Sequence, residues 1–277
     1  MTPPNENSGA VGETAKVISE IMKAAPIYPD AIQPGAKEIG KSLQLLGRAI
    51  NAALAPLEAF VWGVEQIREF VHDRVATKLE NVPPEDVQRP KAHIAVPALE
   101  ALRYLGEDPD LSELYANLLA TSMDAATTYR AHPAFVEIIK NMSPDEARMM
   151  RFLADGNPQA LINIKVTLKG GIAFSIACRH VSLIGVKAGC QHVGLAANYV
   201  DNLVRLGLVE IPEGRRLSSD DAYQEIEEHT TLKEILDELN VGETHSVELL
   251  REKMNLTDFG QQFVQSCVID KAVQDRS

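Results

Sequence analysis

The stretch VGLAANYVDNLVRLGLVEI, Val193–Ile211, decides how this chain reads. Leu195, Tyr199, Leu203 and Leu206 recur at steps of three and four, the spacing of one buried face on a helix from Val193 to Leu206. That helix ends before Gly207. Leu208-Val209-Glu210-Ile211 follows as a strand. A helix delivered through one glycine into a short strand is the recognition-helix corner of a winged-helix domain, so partner elements are sought on both sides.

Upstream, Ser143-Pro144-Asp145-Glu146 marks a helix start: serine caps the free amide of Glu146, Glu146 returns the bond, and proline suits the first helical position. The helix carries Ala147, Met150 and Leu153 and ends at Asp155-Gly156-Asn157-Pro158, after which branched Leu161–Leu168 reads as a strand. Gly185 onward is a turn into the recognition helix. Downstream come a charged loop from Pro212 to Asp221 and a final helix entered by Leu256-Thr257-Asp258-Phe259 and running through Val268. The segment between them is long for a wing. Leu232, Ile235, Leu236 and Leu239 predict a helical insertion over about 223–253. Helix, strand, helix, strand, loop, strand, helix makes 143–277 a winged-helix domain, α with a small β wing.

The residues before it read as helices. Residues 1–13 are Pro, Asn, Glu, Gly and Ser rich, the composition of a disordered leader. Over about 36–79, Leu43, Leu46, Ile50, Ala53, Leu57, Phe60, Val64, Ile67 and Val71 keep a heptad spacing, predicting one long helix, kinked at Pro56, or two collinear ones. A second apolar set, including Leu45, Ala49 and Val61, suits a central helix surrounded by others. Insertion of 43–71 into a membrane or a partner upon activation is the alternative. Beyond Pro83-Pro84, three more helices are expected: Ile94–Leu105, one opened by Asp108-Pro109-Asp110, and one with Pro133 in its first turn. The fold class is mainly α, with an N-terminal helical bundle over 14–142 and the winged helix after it.

The 277 residues are 45% hydrophobic but only 5% aromatic, so the core rests on aliphatic side chains. The net charge is −12, divided evenly at residue 142, and neither half has the positive balance that supplies phosphate affinity. Nucleic acid is therefore a disfavoured partner. Three cysteines and a non-basic start suit a reducing cytoplasm, and the longest apolar stretch, Ala49–Leu57, is far short of the roughly 20 residues of a spanning helix.

Cys178-Arg179-His180 and Cys190-Gln191-His192 offer four ligand types for zinc, but their spacing departs from paired-ligand patterns. Neighbouring Ile172, Phe174, Ile176, Val181 and Ile184 suit thiols held as small core hydrophobes, and no metal is expected. No phosphate loop, nucleophile pair or carboxylate pair appears, so neither a cofactor nor a small-molecule substrate nor enzymatic activity is expected. On the recognition helix and its approach, the surface candidates are Gln191, His192, Asn198, Asn202 and Arg205, set against Asp201. So little positive charge favours a protein partner or a homo-oligomer over a duplex.

Several blocks occur in order: Asp110–Ala120 (DLSELYANLLA), His132–Val136 (HPAFV), Ser143–Ala147 (SPDEA), Asn198–Val209 and Leu256–Phe263 (LTDFGQQF). In this succession the chain resembles the Abi-alpha (abortive infection alpha) family of bacterial proteins. The resemblance implies a cytoplasmic role in antiphage defence, in which an infected cell stops growing or dies before progeny are released. It carries no catalytic residue across.

Overall fold

The computed structural model describes residues 70–105, 108–169, 172–239 and 245–271. The leader and nearly all of the heptad seam of 36–79 lie outside the described residues. Two compact units divide the chain, one of 1–136 with 270–277 and one of 137–269.

In the first unit, α1 (Ala92–Leu105) buries Ile94, Ala98, Leu99 and Leu102. α2 (Pro109–Met123) starts where Asp108 accepts hydrogen bonds from the amides of Asp110 (2.9 Å) and Leu111 (3.0 Å), with Pro109 at the first helical position. α2 is buried around its whole circumference, Ser112, Asn117, Thr121 and Ser122 included, rather than along the single stripe its large apolar residues suggest. Small residues between the leucines permit this, because Ala116 and Ala120 let neighbours approach from the remaining sides. The buried Tyr115 hydroxyl donates to the carbonyl of Val136 (3.2 Å), inside α3 (Ala134–Lys140). The C-terminal residues return here through two buried lysines. Lys78 donates to Glu113 and to Asp270 (3.1 Å), while Lys271 donates to Asp124 and to Thr127 (3.0 Å).

The second unit opens with α4 (Pro144–Phe152), which carries the capping box in full. Gly156, in the left-handed region at φ +75, releases the chain into β1 (Gln159–Leu168). A four-stranded antiparallel sheet follows in the order β2-β1-β4-β3, with β2 at Phe174–Val181, β3 at Val209–Glu210 and β4 at His245–Leu256. Between strands lie α5 (Ile184–Lys187), α6 (Ala196–Arg205), α7 (Asp221–Glu228) and α8 (Thr230–Glu238), and α9 (Asp258–Phe263) comes last.

Two strands differ from the sequence reading. β2 occupies residues to which the sequence reading assigns no element, so among the described residues the sheet has four strands where three are expected. β4 takes the end of the expected insertion, and among the described residues its helical part is Asp221–Glu228 and Thr230–Glu238. HSVELLREKMNL is rich in helix formers, but its pairing with β1 over ten positions, Gln159↔Met254 to Leu168↔His245, overrides local preference. Coverage of both sheet faces is what buries Ala160–Ile164 in succession. On one face Ile162, Ile164 and Val181 pack with Tyr223, Ile226 and Leu232 of α7 and α8. Burying Ile226 and Leu232 stabilises by about 2 kcal/mol each. Tyr223 locks this layer, its hydroxyl donating to the carbonyl of Glu252 (2.8 Å) and accepting from the amide of Leu217 (2.8 Å).

Candidate interaction site

Ser143-Pro144-Asp145-Glu146 does more than begin α4. Its two carboxylates, both buried, hold the turn before α6 and α6 itself. Asp145 accepts from the amides of Gln191 (2.8 Å) and His192 (2.8 Å), from Arg148 (2.6 Å) and from the Tyr199 hydroxyl (3.2 Å). Burial alone would raise the Asp145 pKa, but these donors outweigh it and hold the carboxyl below its ordinary value. Glu146 accepts from the amide of Ser143 through one oxygen (2.5 Å) and from Asn202 through the other (2.6 Å). Asn202 also donates to the carbonyl of Asn141 (3.0 Å) and accepts from Arg205 (2.8 Å). The sequence reading took Asp145 and Glu146 as capping residues only. Their long-range partners carry no spacing signal, because 46 to 56 residues separate them.

Ala196, Val200 and Leu203 form the buried side of α6, and Leu195 is exposed, one position out of phase with the expected inner face. The 3₁₀ turn Val193–Leu195 ahead of α6 causes the shift, because three residues per turn rotate Leu195 away from the face that an α-helix would give it. Gly185 permits the close approach of α5, since a Cβ there would stand 2.9 Å from the Cβ of Ala196. The outward surface therefore carries Val193, Leu195, Asn198, Asp201, Val204 and Arg205, apolar and close to neutral.

The five recognition candidates fare differently. Asn198 is exposed, as are Gln191 and His192, whose amides are fixed on Asp145. Asn202 is spent on Glu146 and Asn141, and the Arg205 guanidinium is directed back to Asn202. The set able to meet a ligand is smaller than the sequence suggests.

The four metal candidates do not converge. Cys178 packs against the α7–α8 layer, and its thiol is pushed up by burial and then by Glu238. Cys190 lies beneath α4, its sulfur 3.6 Å from the carbonyl of Asp145, and burial with the Asp145 charge pushes the thiol up to about 11. It is thus a protonated thiol at neutral pH. His180 sits at a bulge in β2 with φ 55, the one described non-glycine residue at positive φ. Asn163 supports that conformation by accepting from the His180 amide (2.9 Å). The His180 ring places Nδ1 3.0 Å from Asp201 of α6, near enough for an ion pair yet off line for a hydrogen bond. Among the described residues, no group of three or more His, Cys, Asp or Glu is placed to hold a metal ion, and no helix is long and apolar enough to cross a membrane.

No curated protein matches the chain. One solved structure, an uncharacterized protein from the hydrocarbon-degrading marine bacterium Alcanivorax borkumensis SK2, is similar at 22% identity over 50% of this chain and 92% of its own, with a TM-score of 0.34. A superposition that loose bears on neither fold nor function. The model of the family described as abortive infection alpha matches residues 63–267, which takes in α1 to α9, the capping box, the Asp145 and Glu146 network and all of the outward surface of α6. The chain belongs to the abortive infection alpha family.

Proposed function

We propose that this protein acts in abortive-infection defence through protein contacts rather than catalysis, with 137–269 serving as a winged-helix docking module. The family supports the defence role. The docking reading is carried by the outward surface of α6, where Leu195 and Val204 are exposed beside a single acid and a single arginine already held by Asn202. A duplex reader needs cations and free amides on that helix; a protein partner needs exposed apolar side chains on a rigid support. Asp145 and Glu146 provide that support by fixing both the approach and the middle of the helix. A homo-oligomer or a second protein satisfies the same surface.

Leu195→Glu and Val204→Glu test the reading in the full chain. Both side chains are exposed, so thermal unfolding is expected to stay within about 0.5 kcal/mol of the parent. Protection of a phage-challenged host is expected to fall to the level of a strain lacking the gene. Undiminished plating protection by both variants, at equal protein levels, would refute the docking surface.

A further inference from the structure

We propose that the outer edge of β2 is a strand-addition site for an extended segment of a partner protein that alternates apolar and acidic residues. This rests on the reading of 137–269 as a protein-docking unit. The sheet order leaves β2 at an edge, and the opposite edge strand, β3, is only two residues long. Among the described residues, β2 pairs with β1 alone, and the amide of His180 is taken by Asn163. Phe174, Ser175, Ala177 and Arg179 are exposed along it. Register shifts at Ala177 and at Arg179–His180 interrupt the ladder, so the regular run facing solvent is short. Bulges of this kind deter open-ended edge pairing while leaving room for a brief partner strand.

Charge selects the occupant. From Gly156 to Val200 the chain has no aspartate or glutamate, yet it holds Lys165, Lys169, Arg179 and Lys187, in a protein of net charge −12. Lys165 is committed to Glu248 (2.8 Å) and Lys187 to Glu225 (2.6 Å). Arg179 is exposed on the edge strand itself. A second copy of this chain would bring the same cations to the contact and be repelled; a carboxylate-bearing strand is attracted. The apolar half of the pattern comes from Phe174, which is 62% exposed with the Lys165 ammonium 4.8 Å above its ring, and from the half-buried Ile176. Phe174 and Ile176 share one face of the sheet, since their partners on β1 are Thr167 and Lys165. The incoming strand therefore sets apolar side chains beside Phe174 and Ile176 and an acid toward Arg179.

The test uses the full chain with three probes: a synthetic decapeptide alternating valine and glutamate, its counterpart with lysine for glutamate, and a short DNA duplex. Binding is followed by fluorescence anisotropy, and its position by hydrogen–deuterium exchange. The glutamate peptide is expected to slow exchange within Phe174–Arg179 and to bind about fivefold more tightly than the lysine peptide. Arg179→Glu should reverse that preference without moving the thermal midpoint. The proposal is overturned by an unreversed preference, by protection elsewhere, by absence of glutamate-peptide binding at millimolar concentration, by self-association through β2, or by the duplex protecting the same amides. If it falls while Leu195→Glu and Val204→Glu still abolish protection, the docking reading stands and only the strand edge is excluded.

Discussion

Gly260 is the residue at which α9 meets the backbone of the β3 corner, and replacing it by alanine has a calculable consequence. An added Cβ would stand 1.9 Å from the carbonyl oxygen of Leu208, 2.8 Å from its carbonyl carbon and 3.2 Å from its Cα. Carbon neighbours settle at about 3.5–4.0 Å, so α9 must withdraw by roughly 1.5 Å. The obstacle is backbone and cannot swing aside. Leu208 is held by its amide on the carbonyl of Leu203 (3.0 Å), and Thr257 is docked on the same corner. Its amide donates to Leu208 (3.0 Å) and its hydroxyl to Gly207 (2.6 Å), while that hydroxyl also caps the amide of Gly260 (2.8 Å). Withdrawal forfeits the two docking bonds, about 1 kcal/mol each. Loosening the packing of buried Phe263 and Val264 adds roughly 1–3 kcal/mol. The expected loss is about 3–5 kcal/mol, a drop in thermal midpoint on the order of 10 °C. Circular dichroism melts and urea titrations of the full chain measure it. Gly194→Ala is the control, because nothing lies within 4 Å of its added Cβ. Its stability should change by no more than about 0.5 kcal/mol. A Gly260→Ala midpoint within about 2 °C of the parent, or equal effects from the two variants, would refute the close-approach reasoning.

Asp145→Asn should destabilise the second unit by about 2–3 kcal/mol, since an amide cannot accept from all four donors that converge on it. The Asp145 pKa is depressed in the folded state, so its contribution is fully present above the unfolded carboxylate value of about 3.9 and is lost as pH falls from there through the folded value. The gap between variant and parent in urea titrations should accordingly narrow below about pH 4; a gap that widened there would contradict the assignment. In the first unit, Lys271→Met leaves the buried Asp124 carboxylate to the Ala126 amide and the Thr127 hydroxyl, and should cost about 3–5 kcal/mol. Adding Asp124→Asn to it should recover part of the loss in the same titration; a fully additive double variant would show that the two side chains do not interact.

What was legible in the sequence is what local physics decides. The Ser143 box, the Asp108-Pro109-Asp110 opening and the Leu256-Thr257-Asp258-Phe259 entry each act within four residues, and the helices open where those signals stand. β4 was not legible, because Leu249-Leu250-Arg251-Glu252-Lys253-Met254 favours a helix and only pairing with β1 makes it a strand. β2 was hidden for a related reason: its two bulges shift the side-chain alternation, so Phe174 and Ile176 fall on one face and Cys178 on the other. The outward surface of α6 was read with Leu195 inside, since periodicity alone does not register a 3₁₀ first turn. The network about Asp145 was out of reach for a different reason. Its donors are backbone amides, which every residue carries.

The helices α7 and α8 change what the rest of the second unit can do. They cover one face of the sheet: Tyr223 and Ile226 lie among Ile162, Ile164 and Val181, and Arg251 of β4 is drawn up to Glu227 (2.8 Å) and Asp220 (2.9 Å) with its guanidinium over the Tyr223 ring. One face of β1 and β4 is thereby closed, while the other is buried at Leu161 and Asn163 and exposed at Ser246 and Glu248. The exposed surface of α6 and the outer edge of β2 stay open as well, linked by Asp201 of the one and His180 of the other. The acids of the unit lie outside Gly156–Val200, with Glu225 and Glu227 on the covering helix α7, whereas that stretch supplies only cations. The acids of α7 and β4 thus meet that cationic stretch, Glu225 at Lys187 (2.6 Å) and Glu248 at Lys165 (2.8 Å), and Arg179 stays exposed. Under the proposed strand addition Arg179 therefore favours an acidic segment nearby, while the net charge of −12 repels extended polyanions at longer range.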